Sequence, residues 1–453
     1  MAKIRDYRIV IGCNATVNER RAAAFLARNI RLVTGAQVQT VTDDAAPQPL
    51  EIVVGRTNRE TMEGLSLERE FSRQWEFAVF TAGSRVFVTG FGCPKSEDAV
   101  AQVVKDGCIG TVYAAYHFVD AVLGYEFVYE TFDSCPYQPD IAMPGEYCFE
   151  RTCAALAAQL PPAVDGTVMY SIPTYTKAEL NQYCLIFKTR AGKLVVIDSG
   201  RGQGVDHLLR CLYSLTGGEK PVISAWIMTH THDDHSGGFM ALCADPELAG
   251  QVTVEHFYHH LVEDKFYLET AVDRHPDHAA AAHALRKGAA DMGAKIHVVQ
   301  TGDTLDVEEL HFEVLYAPDE SIYGHCSIND SSLVLKLTHD SGQSVLILVD
   351  AEDLASEILM EKYPHKLKSD IVQVSHHGCI GVPFDGYKLV DAKVAFFNCC
   401  PRYWYGDNGE GLFTFNVGHI RSRNIFRELG MKKENIYRDS DGILTMPLPF
   451  EIK

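Results

Sequence analysis

Residues 229 to 238 read Thr-His-Thr-His-Asp-Asp-His-Ser-Gly-Gly, which places His230, His232, Asp234 and His235 directly after the apolar run Val222 to Met228. A neutral imidazole binds zinc and similar divalent ions well, and a carboxylate adds a harder ligand, so the mixture suits a catalytic metal centre. The spacing sorts these ligands. In an extended segment alternate side chains share a side, which lets His230 and His232 hold one ion. Asp234 and His235 lie beyond, where a turn ending in Gly237 and Gly238 is expected to swing them toward a second ion. A polar loop that happens to be rich in histidine is the plainer reading, but a solvated loop has no need of four ligand-type residues at this spacing.

The cluster matches the His-x-His-x-Asp-His motif of the metallo-β-lactamase superfamily, and the resemblance runs from about Thr167 to the end of the chain. Leu194 to Gly200, Leu-Val-Val-Ile-Asp-Ser-Gly, resembles the family's early strand and ends it in Asp198. Val345 to Asp350 resembles the strand that delivers the metal-bridging aspartate, and Val372 to Gly378 resembles the strand carrying the last histidine. The resemblance therefore implies His230, His232, Asp234, His235, His325, Asp350 and His377 as ligands, with His376 as an auxiliary that faces substrate or supports its neighbour. His325 stands 25 positions before Asp350, the family's distance for a third single histidine. However, Gly324 to Leu337 also resembles the Asn-rich strand of the branch that includes the metallo-hydrolase domain of DNA-uptake competence proteins. In that branch the third histidine is not dependable, and Asn329 or Asp330 are the substitutes. His376-His377-Gly378, Asn416 to His419 and Tyr437 to Leu444 favour the same branch. There His419 resembles a pocket histidine, and Asp198 looks like a carboxylate that orients the ring of His230 or His232.

The rest of the chain must position this cluster. With 453 residues, 46% of them hydrophobic, it is long enough for two or three domains with real cores. Neither an apolar leader nor an uninterrupted apolar window of membrane-spanning length is present, so a soluble, cytoplasmic protein is expected. The 13 cysteines show no CxxC pair and no framework spacing, which fits reduced thiols. Forty-one basic against 60 acidic side chains leave a net charge of −19, which repels polyphosphate backbones. A small-molecule substrate is expected, with no long nucleic acid and no membrane partner.

Residues 1–135 are expected to form a small α/β domain. Tyr7 to Cys13 and Glu51 to Gly55 read as strands, Asn18 to Val33 as a helix closed by Gly35, and Glu76 to Thr81 with Arg85 to Thr89 as a hairpin. Gly110 to Gly124 reads as a further helix, followed by Tyr125 to Tyr129. The series resembles the non-catalytic N-terminal domain of β-hexosaminidases and α-glucuronidases, carried by Glu-Ile-Val-Val-Gly-Arg-Thr-Asn-Arg and the Gly-Thr-x-Tyr helix. That resemblance implies a packing or homo-oligomerisation element, with sugar binding as the sharper alternative. Residues 136–166 hold five prolines and read as a linker. Residues 167–453 are expected to be the catalytic domain, an αββα sandwich with its site along one edge of two stacked sheets. The Ala-rich segment Asp273 to Met292 reads as a helix with its histidines on a wet face, whereas His259 and His260 are candidates to line the pocket.

The chemistry implied is hydrolysis. Two divalent ions, zinc first with manganese or iron as alternatives, would sit about 3.5–4 Å apart and share Asp350 and a hydroxide whose pKa falls toward about 7. Asp234 would hold one ion and position the nucleophile or accept its proton. Phosphodiester-type substrates rank first and lactones or thioesters second. A di-iron oxidoreductase on the same scaffold and a non-catalytic binding protein are the alternatives from other classes.

Overall fold

The computed structural model describes residues 2–65, 71–91, 109–124, 137–173, 181–407, 411–412 and 417–453, leaving out the side chains of 417–421. The chain divides into two compact units, Met1–Ala158 with Tyr405–Phe415, and Gln159–Trp404 with Asn416–Lys453.

The first unit is built on a six-stranded sheet, ordered Thr40–Thr42, Arg8–Ile11, Glu51–Val54, Arg85–Gly90, Phe77–Ala82 and Cys148–Arg151. Helix Val17–Thr34 starts where its capping box predicts. The Thr16 hydroxyl accepts from the Glu19 amide, and the Glu19 carboxylate accepts from the Thr16 amide at 2.7 Å. The other Glu19 oxygen takes the Arg56 amide at 2.9 Å. Gly55 makes room for that carboxylate, because a Cβ there would lie 2.2 Å from Glu19 Oε1 and the φ is +70°.

Within the polar stretch Arg56 to Arg59, Arg59 is fully buried and bonds Glu51 at 3.0 Å and the carbonyls of Asp43 and Ala45. The expected linker begins inside this unit, since Cys148–Arg151 pairs antiparallel with Phe77–Ala82, and the unit continues to Ala158. Proline density signalled breaks, but a four-residue strand needs only one long-range partner. Tyr125 to Tyr129 lie outside the described residues.

Buried Glu51 is held by three guanidinium groups, Arg8 at 2.5 Å, Arg59 at 3.0 Å and Arg85 at 2.7 Å. Burial alone would raise its pKa, but the hydrogen bonds from Arg85, Arg8 and Arg59 overcome this and bring it down to about 2. The group therefore stabilises the fold fully above its ordinary value of 4.5, and that contribution is lost as pH falls toward 2. Glu51→Gln is expected to destabilise the unit by about 3 kcal/mol, since it leaves the guanidinium groups without their shared anion. Hydrogen exchange in strands Arg8–Ile11 and Glu51–Val54 at pH 7 and pH 3 checks this. The variant should exchange faster at pH 7 and lose the wild type's acid sensitivity, and unchanged protection would refute it.

The second unit contains two facing sheets. One is ordered Lys295–Val298, His256–His259, Val222–Met228, Leu194–Asp198, Cys184–Lys188, Thr167–Ser171 and Leu444–Leu448, with Thr253–Val254 alongside Val222–Met228. The other runs Thr304–Val307, Leu310–Tyr316, Val334–His339, Ser344–Ile347, Ile371–Gln373, Val394–Phe397 and Ile436–Arg438. Alternation along the strands builds three layers of contact. Ala225 and Ile227 join Leu335, Val345, Ile371 and Phe396 in the core between the sheets. Trp226 turns outward onto Phe239 of helix Asp233–Ala244, ring centroids 4.7 Å apart, and Phe397 turns outward onto Phe426 of helix Val417–Glu428 at 6.1 Å. The expected αββα sandwich is thus the fold of this unit.

The strands that matter for chemistry run in parallel: Leu194–Asp198 beside Val222–Met228, and Ser344–Ile347, Ile371–Gln373, Val394–Phe397 and Ile436–Arg438 in succession. Their carboxyl ends lie along one edge of each sheet, where α/β folds commonly place ligand sites.

Candidate metal centre

Strand Val222–Met228 ends and, beyond residues 229–231, His232 caps helix Asp233–Ala244 with an extended backbone, φ −62° and ψ 144°. His230 and His232 meet between the two elements, with His230 Nε2 and His232 Nδ1 3.1 Å apart. The expected turn is absent. Asp234 and His235 occupy the helix's first turn, and Gly237 and Gly238 lie inside the helix. Those glycines serve close packing: a Cβ on Gly237 would meet the Gly202 amide at 2.7 Å, and one on Gly238 the Ser199 carbonyl at 2.3 Å. The helix start is bound to residues 198–200 by Ser199 N to His235 O at 2.7 Å and Gly238 N to Gly200 O at 2.7 Å.

The second sheet supplies the remaining donors. Asp350 follows Val349, a β-branched residue at φ +52°. Buried Gln373 holds it there, its Oε1 accepting from Val349 N at 2.6 Å. His376 and His377 also have positive φ, +46° and +55°, as does Asp198 at +56°. Four of the six non-glycine residues at positive φ among those described thus lie at the ends of the strands that bear the cluster.

Three sets of side chains have ligand atoms within 4.8 Å of one another. One is Asp198, His230 and His235, in which Asp198 is already bonded to Thr229 and His235 Nδ1. The other two groups are His230, His232 and Asp350, and Asp234, His235 and His377. Asp350 Oδ2 stands between them, 4.0 Å from His230 Nε2, 3.2 Å from His235 Nε2 and 3.6 Å from His377 Nε2. His377 Nε2 is also 3.4 Å from Asp234 Oδ2. His235 Nε2, His377 Nε2 and Asp350 Oδ1 are buried without a hydrogen-bond partner. Buried polar atoms are almost always satisfied, so donors left open toward a common point fit a cation.

Electrostatics keep His230, His232, Asp234 and Asp350 in ligand form. At His235 burial is outweighed by Asp350 and Asp198, which hold its pKa well above the ordinary value, so a cation there would compete with a proton for Nε2. Burial, followed by the neighbouring His235 and His232, holds His230 well below its ordinary pKa, and burial likewise lowers His232. Asp234 and Asp350 would be raised by burial, but His235 and His377, with Arg201 beside Asp234, hold both below the usual carboxylate range. Arg201 spans Asp233 at 2.8 Å and Asp234 at 3.3 Å.

Each other candidate has a definite place. Asp198 is not hydrogen-bonded to His230 or His232 directly and reaches His230 Nδ1 only through Thr229 Oγ1, which lies 3.2 Å from that nitrogen. It accepts from Thr229 N at 2.8 Å and Thr229 Oγ1 at 2.6 Å and lies 2.8 Å from His235 Nδ1, because the helix start rotates His235 back over it. Tyr183 stacks on the same ring, with centroids 5.1 Å apart. His377 gives Nδ1 to the Asn398 carbonyl at 2.7 Å. His376 turns away to Glu352 at 2.9 Å and the Ile380 carbonyl at 3.0 Å. Burial opposes its charge, yet Glu352 and Asp350 push its pKa up to about 9.

His325 is exposed in a turn and joins neither group. Its substitutes do not fill the position either. Asp330 accepts from Glu352 N at 3.1 Å and Ala355 N at 3.0 Å at the start of helix Asp353–Lys362, and Asn329 donates to Glu352 at 2.9 Å. Ser332 Oγ instead touches His230 Nδ1 at 3.1 Å. His419 falls in helix Val417–Glu428, but its side chain lies outside the described residues.

Of the histidine-rich stretch, His259 and His260 join neither group. His259 takes the Leu261 amide at 3.1 Å and His260 bonds the Val299 carbonyl at 2.6 Å. His278 is the one drawn in: its ring lies 5.1 Å from His232, and Thr231 Oγ1 is 3.3 Å from its Nδ1. Asp273 stands 3.9 Å from His232 Nε2. Arg201, Asp273, His278 and Glu352 were not read from sequence as site residues, and only the nearness of Arg201 and Glu352 to Asp198 and Asp350 along the chain could have flagged them.

A family model described as the metallo-beta-lactamase superfamily matches residues 179–318. Residues 179–318 are thus a metallo-beta-lactamase superfamily domain. The match takes in His230, His232, Asp234 and His235, while Asp350 and His377 join them through the fold. ComE operon protein 3 of Bacillus subtilis (strain 168) is 30% identical over 161 residues, 35% of this chain and 17% of that protein, so the chain spans a small part of its relative's length. Among solved structures, the metallo-beta-lactamase fold protein YhfI from Bacillus subtilis is 16% identical, covering 62% of this chain and all (100%) of that one, with a TM-score of 0.37. CmlA, a diiron beta-hydroxylase from Streptomyces venezuelae, is 11% identical, covering 64% and 55%, with a TM-score of 0.38. Scores this low leave the superfamily assignment resting on the family match and the site.

In protein dialysed against zinc, His377→Ala is expected to lower bound metal by one equivalent, while His325→Ala leaves it unchanged. Elemental analysis per chain decides this, and equal metal content in both variants would sink the ligand assignment.

Proposed function

We propose that this chain is a metal-dependent hydrolase that cleaves an ester bond in a small molecule, a phosphodiester-type substrate first, at a centre of two divalent ions, zinc foremost. The observation that carries the reading is the convergence of buried, unpartnered donors on His235, Asp350 and His377. His230 Nε2 and His232 Nδ1 would hold one ion, Asp234, His235 and His377 the other, and Asp350 lies between them. Bound there, such ions supply Lewis acidity, lowering the pKa of water toward about 7 and polarising the ester.

The chain's own residues supply orientation. Asp198 fixes the His235 ring through Nδ1, and Arg201 pairs with the same Asp234 oxygen, Oδ2, that His377 Nε2 faces. His232 and Asp234 are the partly exposed members of the set, with 24% and 18% of their side chains open, so substrate approaches from their side. The Glu352 and His376 pair, close in the chain to the ligands Asp350 and His377, would be the group to meet the substrate's leaving group. The phosphodiester preference rests on the resemblance of Gly324 to Leu337 and His376-His377-Gly378 to the branch that includes the hydrolase domain of competence proteins. A small substrate rather than long nucleic acid is favoured by the net charge of −19.

Protein purified without added metal, assayed on p-nitrophenyl phosphodiesters, phosphorylcholine esters and lactones, tests this. Turnover of a phosphodiester with zinc bound is expected. His232→Ala and Asp350→Ala should each lose metal and drop turnover about a thousandfold or more, as removal of several kcal/mol of Lewis-acid stabilisation requires. Iron in place of zinc, or an active metal-free variant, would contradict the proposal.

A further inference from the structure

Asp439, in the segment Tyr437 to Leu444, touches no member of the ligand set, yet it is buried at the same sheet edge. The path from it to the cluster runs through one peptide group. His377 Nδ1 donates to the carbonyl of Asn398, which leaves Nε2 facing Asp234 and Asp350. The same peptide's N–H, that of Cys399, donates to Asp439 Oδ1 at 3.0 Å. A peptide unit is planar, with its C=O and N–H pointing to opposite sides. A carboxylate that fixes the N–H therefore fixes the direction of the carbonyl.

The rest of the contact set tightens this plane. Asn398 Nδ2 donates to Ser171 Oγ at 2.6 Å and to Asp439 Oδ2 at 3.3 Å, and Ser171 Oγ donates to Asp439 Oδ2 at 2.7 Å. Asp439 N in turn donates to the Phe397 carbonyl at 3.1 Å. Ser171, Asn398 and Asp439 are each 3% exposed or less, so water does not compete for these bonds. Asn398 lies one residue past strand Val394–Phe397, beyond the ladder, so the network rather than the sheet determines where its carbonyl points. Ser171 belongs to the opposite sheet, so the network also joins both sheets at the edge that carries the ligands. Hydrogen bonds in series polarise one another, and a carboxylate on the N–H makes the carbonyl a better acceptor and the imidazole a better ligand.

We propose that Asp439 is a positioning residue for His377, acting through the peptide between Asn398 and Cys399, and that it sets the affinity of the subsite formed by Asp234, His235 and His377. His235 is backed by Asp198 directly, and His377 by Asp439 at one remove. The inference rests on the metal-centre reading above.

The test is competitive zinc titration of the full-length protein against a chromophoric chelator, for wild type, Asp439→Asn and Ser171→Ala, with thermal unfolding of each metal-free protein. Wild type should take up two equivalents. Asp439→Asn should weaken one equivalent by about 10- to 100-fold and leave the other unchanged, with the metal-free unfolding temperature near that of wild type. Ser171→Ala, which keeps the carboxylate but removes one bond to it, should shift the same equivalent in the same direction by less, and it serves alone if Asp439→Asn does not fold. Both equivalents weakened together, or neither, would overturn the positioning role while leaving the metal centre standing. A wild type that takes up no zinc would overturn both.

Discussion

Asp350 and the imidazoles of His230, His235 and His377, buried within a few ångströms of one another beside the partly exposed Asp234, form the constraint on which the second unit depends. Asp234 and Asp350 face His235 and His377 at 3.2–3.6 Å, and among the described residues no hydrogen-bond partner is left for His235 Nε2, His377 Nε2 or Asp350 Oδ1. Taking an ion out of water costs several kcal/mol even after relaxation. A fold that collects such groups must recover that cost from whatever sits between them, and the donor set is one that divalent cations favour.

The surrounding architecture follows from holding those groups still. Parallel strands deliver their carboxyl ends to one edge, and each ligand-bearing chain leaves its strand within two or three residues. The turns there are sharp enough to need left-handed backbone at Asp198, Val349, His376 and His377. Buried polar side chains stabilise them: Asp198 ties Thr229 to His235, Gln373 clamps Val349, and the Ser375 hydroxyl bonds the Ala351 carbonyl. The Gly237 and Gly238 surface lets helix Asp233–Ala244 sit directly on residues 199–202, which sets the rotation that points His235 at Asp350.

Much of this was legible in the sequence, for reasons that differ from piece to piece. The ligands His230 to His235 were visible because they are local, and strand geometry alone pairs His230 with His232. The sandwich was visible in the strand periodicity and in the order of the motifs. What escaped was everything decided by contacts far apart in the chain. Asp198 backs His235 because a helix, not a turn, begins at Asp233, and the reason two glycines sit in that helix lies in residues 199–202. Spacing pointed to His325, but the fold leaves it in solvent and brings His278 beside His232 instead. In the first unit, nothing near Arg59 in sequence announces that it and Glu51 are buried together.

Anomalous diffraction from crystals grown with zinc puts the central claim to the most direct test. The account predicts two peaks about 3.5–4 Å apart, each about 2.0–2.2 Å from nitrogen or oxygen donors, one on His230 and His232, the other on Asp234, His235 and His377, with Asp350 touching both. Zinc found only elsewhere, for example at the surface pair His256 and His297, with the buried cluster empty, would contradict it.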